Sequence, residues 1–198
     1  MNIGVAIDGV ALGGSHSIFY NTKQSMAFFC GLYRSPEGKI NDPIKTPELF
    51  GAAIFSKKRS QIVKITSGLD HSVALTSDKK VYAWGDPESG KIGRTLKSRS
   101  RNEQSRKIEQ VGAKSAVDIW CAGNASFYAN AKGQLFAWGL NNHGQLGIGH
   151  KENVCAPGRV LWQTEVPEIP VEVKGGEHHT VCLTKSGKVY CWGRNDEG

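Results

Sequence analysis

Short apolar runs alternate with polar turns along most of the chain. Residues 63–65, 71–76 and 81–84 are rich in β-branched and aromatic side chains and partly alternate between apolar and polar positions. Polar turns such as residues 77–80 separate these runs, and turns of this kind join antiparallel neighbours. No helical periodicity persists over a useful length. The pattern therefore predicts an all-β fold built from short antiparallel strands.

A Trp-Gly pair repeats along the sequence with a constant spacing. It occurs at Trp84, Trp138 and Trp192, which are 54 residues apart, and in the first repeat Cys30 stands where the tryptophan would be. A unit of three or four short strands cannot bury both of its faces alone, so it must stack on its neighbours. Radial stacking in a β-propeller is the favoured arrangement, and a linear β-solenoid is the alternative.

A second signature, a glycine followed three residues later by histidine, precedes the Trp-Gly position. Gly13 and His16, Gly68 and His71, and Gly176 and His179 fit it, and the third repeat aligns as Gly123 with Ser126 in place of the histidine. A recurring histidine favours a structural hydrogen bond over catalysis. The two signatures together predict four repeats, at approximately residues 1–55, 56–110, 111–165 and 166–198, with the last one incomplete.

The repeat motif resembles that of the regulator of chromosome condensation family. Residues 179–184 and 189–198, which read His-Thr-Val-Cys-Leu-Thr and Val-Tyr-Cys-Trp-Gly-Arg-Asn-Asp-Glu-Gly, match the family's motif closely. The resemblance implies a β-propeller, with about four blades of an expected seven. Gly198 aligns with Gly144 and precedes the expected Gln-Leu-Gly, so we expect a partial propeller.

The order of the repeats resembles the family member that drives guanine-nucleotide exchange on the small GTPase Ran. The extended turn after Gly31 resembles that protein's protruding wedge, although Gly14 stands where the exchange factor carries an aspartate. The resemblance implies a GTPase-binding surface and exchange without covalent chemistry, by differential binding. The residues it implies are Tyr33, Arg34, Ser35, Glu37, Lys39, Asp70, Arg94, Asn124 and His178.

The chain is basic, with a formal net charge of +7, and part of this charge is concentrated in one loop. We predict that Arg99, Arg101, Arg106 and Lys107 bind nucleic acid, with a solvated loop as the alternative. The expected partners are Ran together with histones and DNA, and neither a membrane nor a small-molecule substrate. The expected location is the nucleus, with the cytoplasm as a second one.

Several enzyme and metal-binding classes find no support in the sequence. The histidines and the five cysteines show no metal-ligand spacing or Cys-x-x-Cys pair, so we expect no metal, cofactor or disulfide framework. The segment from Gly85 to Lys91 resembles a P-loop. It is followed by Ile92, whereas a P-loop needs a serine or threonine there, whose hydroxyl binds Mg²⁺. The alternative to an exchange factor is a non-catalytic propeller that recruits another protein.

Overall fold

A computed structural model of the chain describes residues 4–32, 43–96, 107–162 and 168–196. These residues form four antiparallel sheets in which each strand pairs with the next one along the chain. The strands of the first sheet are β1 (Gly9–Leu12), β2 (His16–Asn21), β3 (Met26–Gly31) and β4 (Ile44–Phe50). Those of the second are β5 (Ile62–Ser67), β6 (His71–Thr76), β7 (Val81–Gly85) and β8 (Glu109–Gln110).

The third and fourth sheets repeat this order of strands. The third contains β9 (Ala116–Ala122), β10 (Ala125–Asn130), β11 (Leu135–Gly139) and β12 (Val154–Arg159). The described part of the fourth contains β13 (Pro170–Gly175), β14 (His179–Thr184) and β15 (Val189–Gly193). In the described ranges helical structure is limited to α1 (Ala52–Phe55) and a 3₁₀ turn (Glu88–Gly90), and neither is long and apolar enough to span a membrane.

The sheets are arranged as successive blades of a propeller, as the sequence predicts. The first strands β1, β5, β9 and β13 contact one another in chain order, which places them on the inner side of the arrangement. Three clusters of buried apolar side chains fill the spaces between the first and second, second and third, and third and fourth sheets. Each central sheet is thus buried on both faces, and its second strand, β6 or β10, is buried at nearly every position, polar residues included.

The tryptophan of each Trp-Gly pair packs toward the preceding sheet. Trp138 donates its indole N–H to the carbonyl of Lys91 at 2.9 Å, and Trp192 donates to the carbonyl of Gln145 at 2.7 Å. Both acceptors lie in the turn that follows the Trp-Gly pair of the preceding repeat, and they are themselves 54 residues apart. The tryptophan therefore fastens the third and fourth blades to the turn of the blade before each.

The recurring histidine makes a second connection between neighbouring blades. His16 Nε2 hydrogen-bonds Ser72 Oγ at 3.1 Å, and His71 Nε2 hydrogen-bonds Ser126 Oγ at 2.7 Å. Burial lowers the pKa of His16 to about 4 and that of His71 to about 3, so both imidazoles are neutral at neutral pH. These bonds confirm the structural role that the repeated position indicates.

The alignment of the third repeat on Ser126 is wrong by one residue. In the other repeats the histidine pairs with the glycine of the Trp-Gly position, and in the third repeat Ala125 pairs with Gly139. Ala125 therefore stands in place of the histidine, whereas Ser126 is the hydroxyl that meets His71. The third repeat begins its turn with Ala122, which pairs with Ala125, and Gly123 is the next residue.

A glycine lies under the imidazole in each repeat that has one. A Cβ atom on Gly13 would overlap the ring of His16, and a Cβ on Gly176 would come within 2.8 Å of the ring of His179. The third repeat has no imidazole at this point and carries Ala122 at the glycine position. The histidine thus requires the glycine, because the ring occupies the space of the missing side chain.

The fourth sheet exposes one face that is equivalent to the faces buried between the other sheets. Val189 is 61% exposed, whereas Val81 and Leu135 at the same repeat position are fully buried against the following sheet. His179 is likewise exposed. This face has the shape and chemistry to receive a further blade of the same type, as expected of a partial propeller.

We predict that Gly13→Ala is destabilising only while His16 is present. In the natural background the new methyl group meets the imidazole, and the free energy of unfolding should fall by about 1–3 kcal/mol. In the His16→Ala background the pair copies Ala122 and Ala125, and Gly13→Ala should be neutral or stabilising by about 0.4–1 kcal/mol. Urea unfolding of the four proteins measures both effects. Equal losses in the two backgrounds would contradict the proposed overlap.

We predict that folding stability decreases as the pH falls from 7 to about 4.5. The unfolded histidine titrates near about 6.5, so in this range the unfolded chain binds more protons than the folded chain with its neutral His16 and His71. His71→Gln keeps a polar group near Ser126 but cannot titrate, so it should flatten the pH dependence of the urea midpoint. His150→Gln, at an exposed site, is the control. An unchanged slope in His71→Gln would refute the prediction.

Candidate functional site

The first and second strands of each sheet are joined by a tight tip, and the four tips are structurally equivalent. In each one a carbonyl accepts a hydrogen bond from the backbone N–H that follows the Trp-Gly position, at 2.8–3.1 Å. The four carbonyls belong to Ser15, Asp70, Asn124 and His178. Three of the four residues in this set, Asp70, Asn124 and His178, are site residues predicted from the sequence.

The tips are also connected to one another. The N–H of Gly14 donates to the carbonyl of Leu69 at 2.8 Å, and the N–H of Leu69 donates to the carbonyl of Gly123 at 2.9 Å. The carbonyl of Gly176 lies so close to Gly123 that a Cβ there would be only 2.5 Å from it. We call this continuous surface the tip arc, and it comprises residues 13–15, 68–70, 123–124 and 176–178. The structure therefore brings Asp70, Asn124 and His178 onto one end of the propeller.

Asp70 belongs to a small ionic cluster at the edge of the tip arc. Lys91 Nζ lies 2.5 Å from a carboxylate oxygen of Asp86 and 4.0 Å from one of Asp70. The side chains of Lys91 and Asp86 are almost completely buried, whereas that of Asp70 is 37% exposed. Asp70 is thus the member of the cluster that is presented to solvent and available to a partner.

His178 is accompanied by two groups that repeat analysis did not identify. Its ring centroid lies 4.7 Å from that of His143, which comes from the turn after β11, and its Nε2 lies 4.0 Å from a carboxylate oxygen of Glu177. The turn after the Trp-Gly pair ends at the same side of the sheet as the tip, because β10 and β11 are antiparallel neighbours. This topology is the signal that would have placed His143 beside the predicted site.

Arg94 lies apart from the tip arc, although the sequence resemblance groups it with Asp70. Its guanidinium donates to the carbonyls of Ala83 at 2.7 Å and Lys107 at 2.9 Å, and its Nε lies 3.2 Å from the carboxylate of Glu109. Its side chain is mostly buried, and this burial lowers its pKa. In this position Arg94 fastens β7 to the chain segment that leads into the outer strand β8.

The remaining predicted residues fall into two segments of the sequence. Lys107 is described and exposed, and it precedes β8. The others lie outside the described residues: Tyr33, Arg34, Ser35, Glu37, Lys39, Arg99, Arg101 and Arg106. Their assignment to GTPase or nucleic-acid binding remains a prediction. Within the described ranges no three His, Cys, Asp or Glu side chains are grouped so that they could hold a metal ion.

The four sheets each have their strands in chain order, their first strands contact one another, and their tips are linked. These features define a β-propeller built from the repeat seen in the sequence. The model of the RCC1-like domain matches residues 2–198, nearly the whole chain. The chain therefore belongs to the RCC1-like domain family.

Individual relatives differ widely in size and in activity. The chain is 31% identical over 189 residues to the human E3 ubiquitin-protein ligase HERC2, covering 94% of this chain but 4% of that protein. It is 28% identical over 205 residues to the human regulator of chromosome condensation, covering 96% of this chain and 48% of that protein. The chain thus spans less than half the length of these relatives.

The fold is also found in a solved structure. The structure of Prp20p from Saccharomyces cerevisiae superimposes with a TM-score of 0.82 at 24% identity, covering 96% of this chain and 44% of Prp20p. At this identity the likeness shows the fold, and function has to be argued from the site.

Proposed function

We propose that the chain is part of a guanine-nucleotide exchange factor for the small GTPase Ran that associates with chromatin. The observation that carries the proposal is the tip arc, in which Asp70, Asn124 and His178 occupy equivalent positions on linked tips. An acid, an amide and an imidazole on one surface offer complementary contacts to a polar protein surface. The published description of Prp20p concerns its binding to Gsp1p and histones, which supports this choice among the functions of the family.

The proposed mechanism is differential binding rather than covalent catalysis. The tip arc would bind the nucleotide-free GTPase more tightly than the loaded form, which favours release of GDP. The predicted wedge around Tyr33, Arg34, Ser35, Glu37 and Lys39 would act beside the phosphate-binding region. Charged groups at such an interface set orientation and association rate, and truncating a desolvated one costs about 2–5 kcal/mol.

Arg94 enters this proposal in a supporting role. Its guanidinium is engaged by two backbone carbonyls and the carboxylate of Glu109, so its donors are directed into the blade. It would therefore hold the second blade in shape and fix where the loop of Arg99, Arg101, Arg106 and Lys107 leaves and rejoins it.

A second candidate is a non-catalytic propeller that recruits another protein. The similarity to HERC2, a ubiquitin ligase, favours this candidate because it shows the same repeats inside a protein with a different activity. The tip arc would then bind a different partner through the same three side chains. An exchange assay distinguishes the two candidates directly.

We predict that the full natural protein containing this chain, at catalytic amounts, accelerates release of labelled GDP from Ran. Asp70→Ala combined with His178→Ala should reduce the exchange rate at least about tenfold, because two interface contacts are lost. Glu48→Ala, on the exposed outer strand β4, is the matched control and should leave the rate unchanged. The parent protein's failure to release GDP would reject the exchange function and favour the recruiting module. A normal rate in the double variant would reject the tip arc.

We predict that the same protein binds DNA or nucleosomes through its basic loop. Neutralising several phosphates releases counterions, so the affinity should fall steeply as the salt concentration rises. Reversing the charge of Arg99 and Arg101 should weaken binding. It should also make the plot of log affinity against log salt concentration less steep, by the amount expected for the loss of about two phosphate contacts. Charge reversal of Lys45, an exposed residue in β4, is the control. Binding that ignores both salt and the loop variants would contradict the assignment.

A further inference from the structure

The turn after β7 carries a buried lysine, Lys91, where its counterpart in the third repeat carries a buried glutamine, Gln145. The carbonyls of Lys91 and Gln145 both accept the indole N–H of the following blade, which shows that the two residues are structurally equivalent. Gln145 closes its own turn, since its side-chain oxygen accepts from the N–H of His143 at 2.9 Å and its amide donates to Asn142 at 3.0 Å. A glutamine therefore satisfies this turn, and the backbone does not require a lysine there.

Lys91 instead directs its ammonium group toward two acids. The side chain is only 8% exposed, and a buried ammonium is tolerated only when it is paired. Asp86, at 2.5 Å, is the close partner and is itself buried, while Asp70, at 4.0 Å, is the half-exposed partner on the tip arc. The backbone N–H of Asp86 also donates to the carbonyl of Asp70 at 2.8 Å. The lysine and both acids thus form one unit that joins the turn to the tip.

The second repeat combines an acid on its tip with a lysine and an acid in its turn, and the third repeat has none of these three residues. The third repeat has Leu140 at the position of Asp86, Gln145 at that of Lys91, and the uncharged Asn124 on its tip. Its tip residue carries no charge to be oriented, and its turn carries no ion pair. The comparison of these two repeats shows that the turn forms without a lysine and without an ion pair.

We infer that Lys91 is a positioning residue that holds the carboxylate of Asp70 in one orientation on the tip arc for a basic side chain of the partner. The partner's identity rests on the proposed function, whereas the orientation of Asp70 does not. Because Lys91 is buried, it would not touch the partner. Its contribution would be to reduce the conformational freedom that Asp70 loses when the complex forms.

The experiment is a double-mutant cycle in the full natural protein. The variant Asp86→Leu with Lys91→Gln copies the third repeat and removes the ammonium and its close carboxylate together, so that neither is left unpaired. Asp70→Ala is then introduced into the parent and into this swapped background, and the affinity for nucleotide-free Ran is measured in all four proteins. Glu48→Ala in both backgrounds is the control for a site away from the cluster.

We expect Asp70→Ala to weaken binding by about tenfold or more in the parent and by less than about threefold in the swapped background. Equal fold-changes in the two backgrounds would overturn the inference, because a lysine that only stabilises the turn gives additive effects. An Asp70→Ala variant that binds Ran like the parent would instead reject the proposed interface. Thermal unfolding of the swapped protein checks that its fold is retained.

The side-chain orientation of Asp70 provides a readout that needs no partner. Three-bond NMR couplings of Asp70 should report one dominant χ1 rotamer in the parent and averaging between rotamers in the swapped protein. Unchanged couplings would overturn the inference even if Ran binding changed. If the χ1 rotamers of Asp70 average in the swapped protein but Asp70→Ala does not change Ran binding, the positioning role is supported and Ran is rejected as the partner.

Discussion

The hydrogen bond between a buried imidazole and a hydroxyl of the next sheet is the contact on which the arrangement of the first three blades depends. Neighbouring sheets share no strand ladder, so their relative position must be set by side chains and by the tips. His16 with Ser72 and His71 with Ser126 provide this connection at the end of the sheets where the tips lie. The same end therefore becomes both the best-determined part of the molecule and its candidate binding surface.

The interface between the third and fourth sheets shows how the arrangement survives without the imidazole. Ala125 cannot reach across, and Thr180, at the position of the hydroxyl that meets the imidazole elsewhere, donates to the carbonyl of Gln145 at 2.8 Å instead. The indole of Trp192 donates to the same carbonyl. At this interface the side-chain hydrogen bonds between the sheets are therefore made to the turn after β11 and not beside the tip. The adjacent tips still meet at Gly123 and Gly176.

Much of the fold could be predicted from the sequence because the tryptophan and the histidine recur at fixed repeat positions and contact the neighbouring blade in equivalent ways. The third repeat was misaligned because its one imidazole had been replaced, and strand pairing rather than residue type had to identify Ala125. Arg94 could not be placed, since an arginine that follows a turn reaches outward or inward with equal ease until the carbonyls around it are known. Lys91 and His143 belong to the site through contacts between turn and tip that no spacing along the chain encodes.

The glycine that lies under each imidazole limits the order in which a blade can change. A repeat that gained alanine while its histidine was still present would have to absorb an overlap with the ring, as at Gly13 and His16. A repeat that first lost the histidine would lose one hydrogen bond and then accept alanine without conflict, and Ala122 with Ala125 represents the end of that route. Divergence among the blades is therefore favoured in one order: losing the histidine before the glycine avoids the overlap, and a histidine returns without conflict only where the glycine is already present.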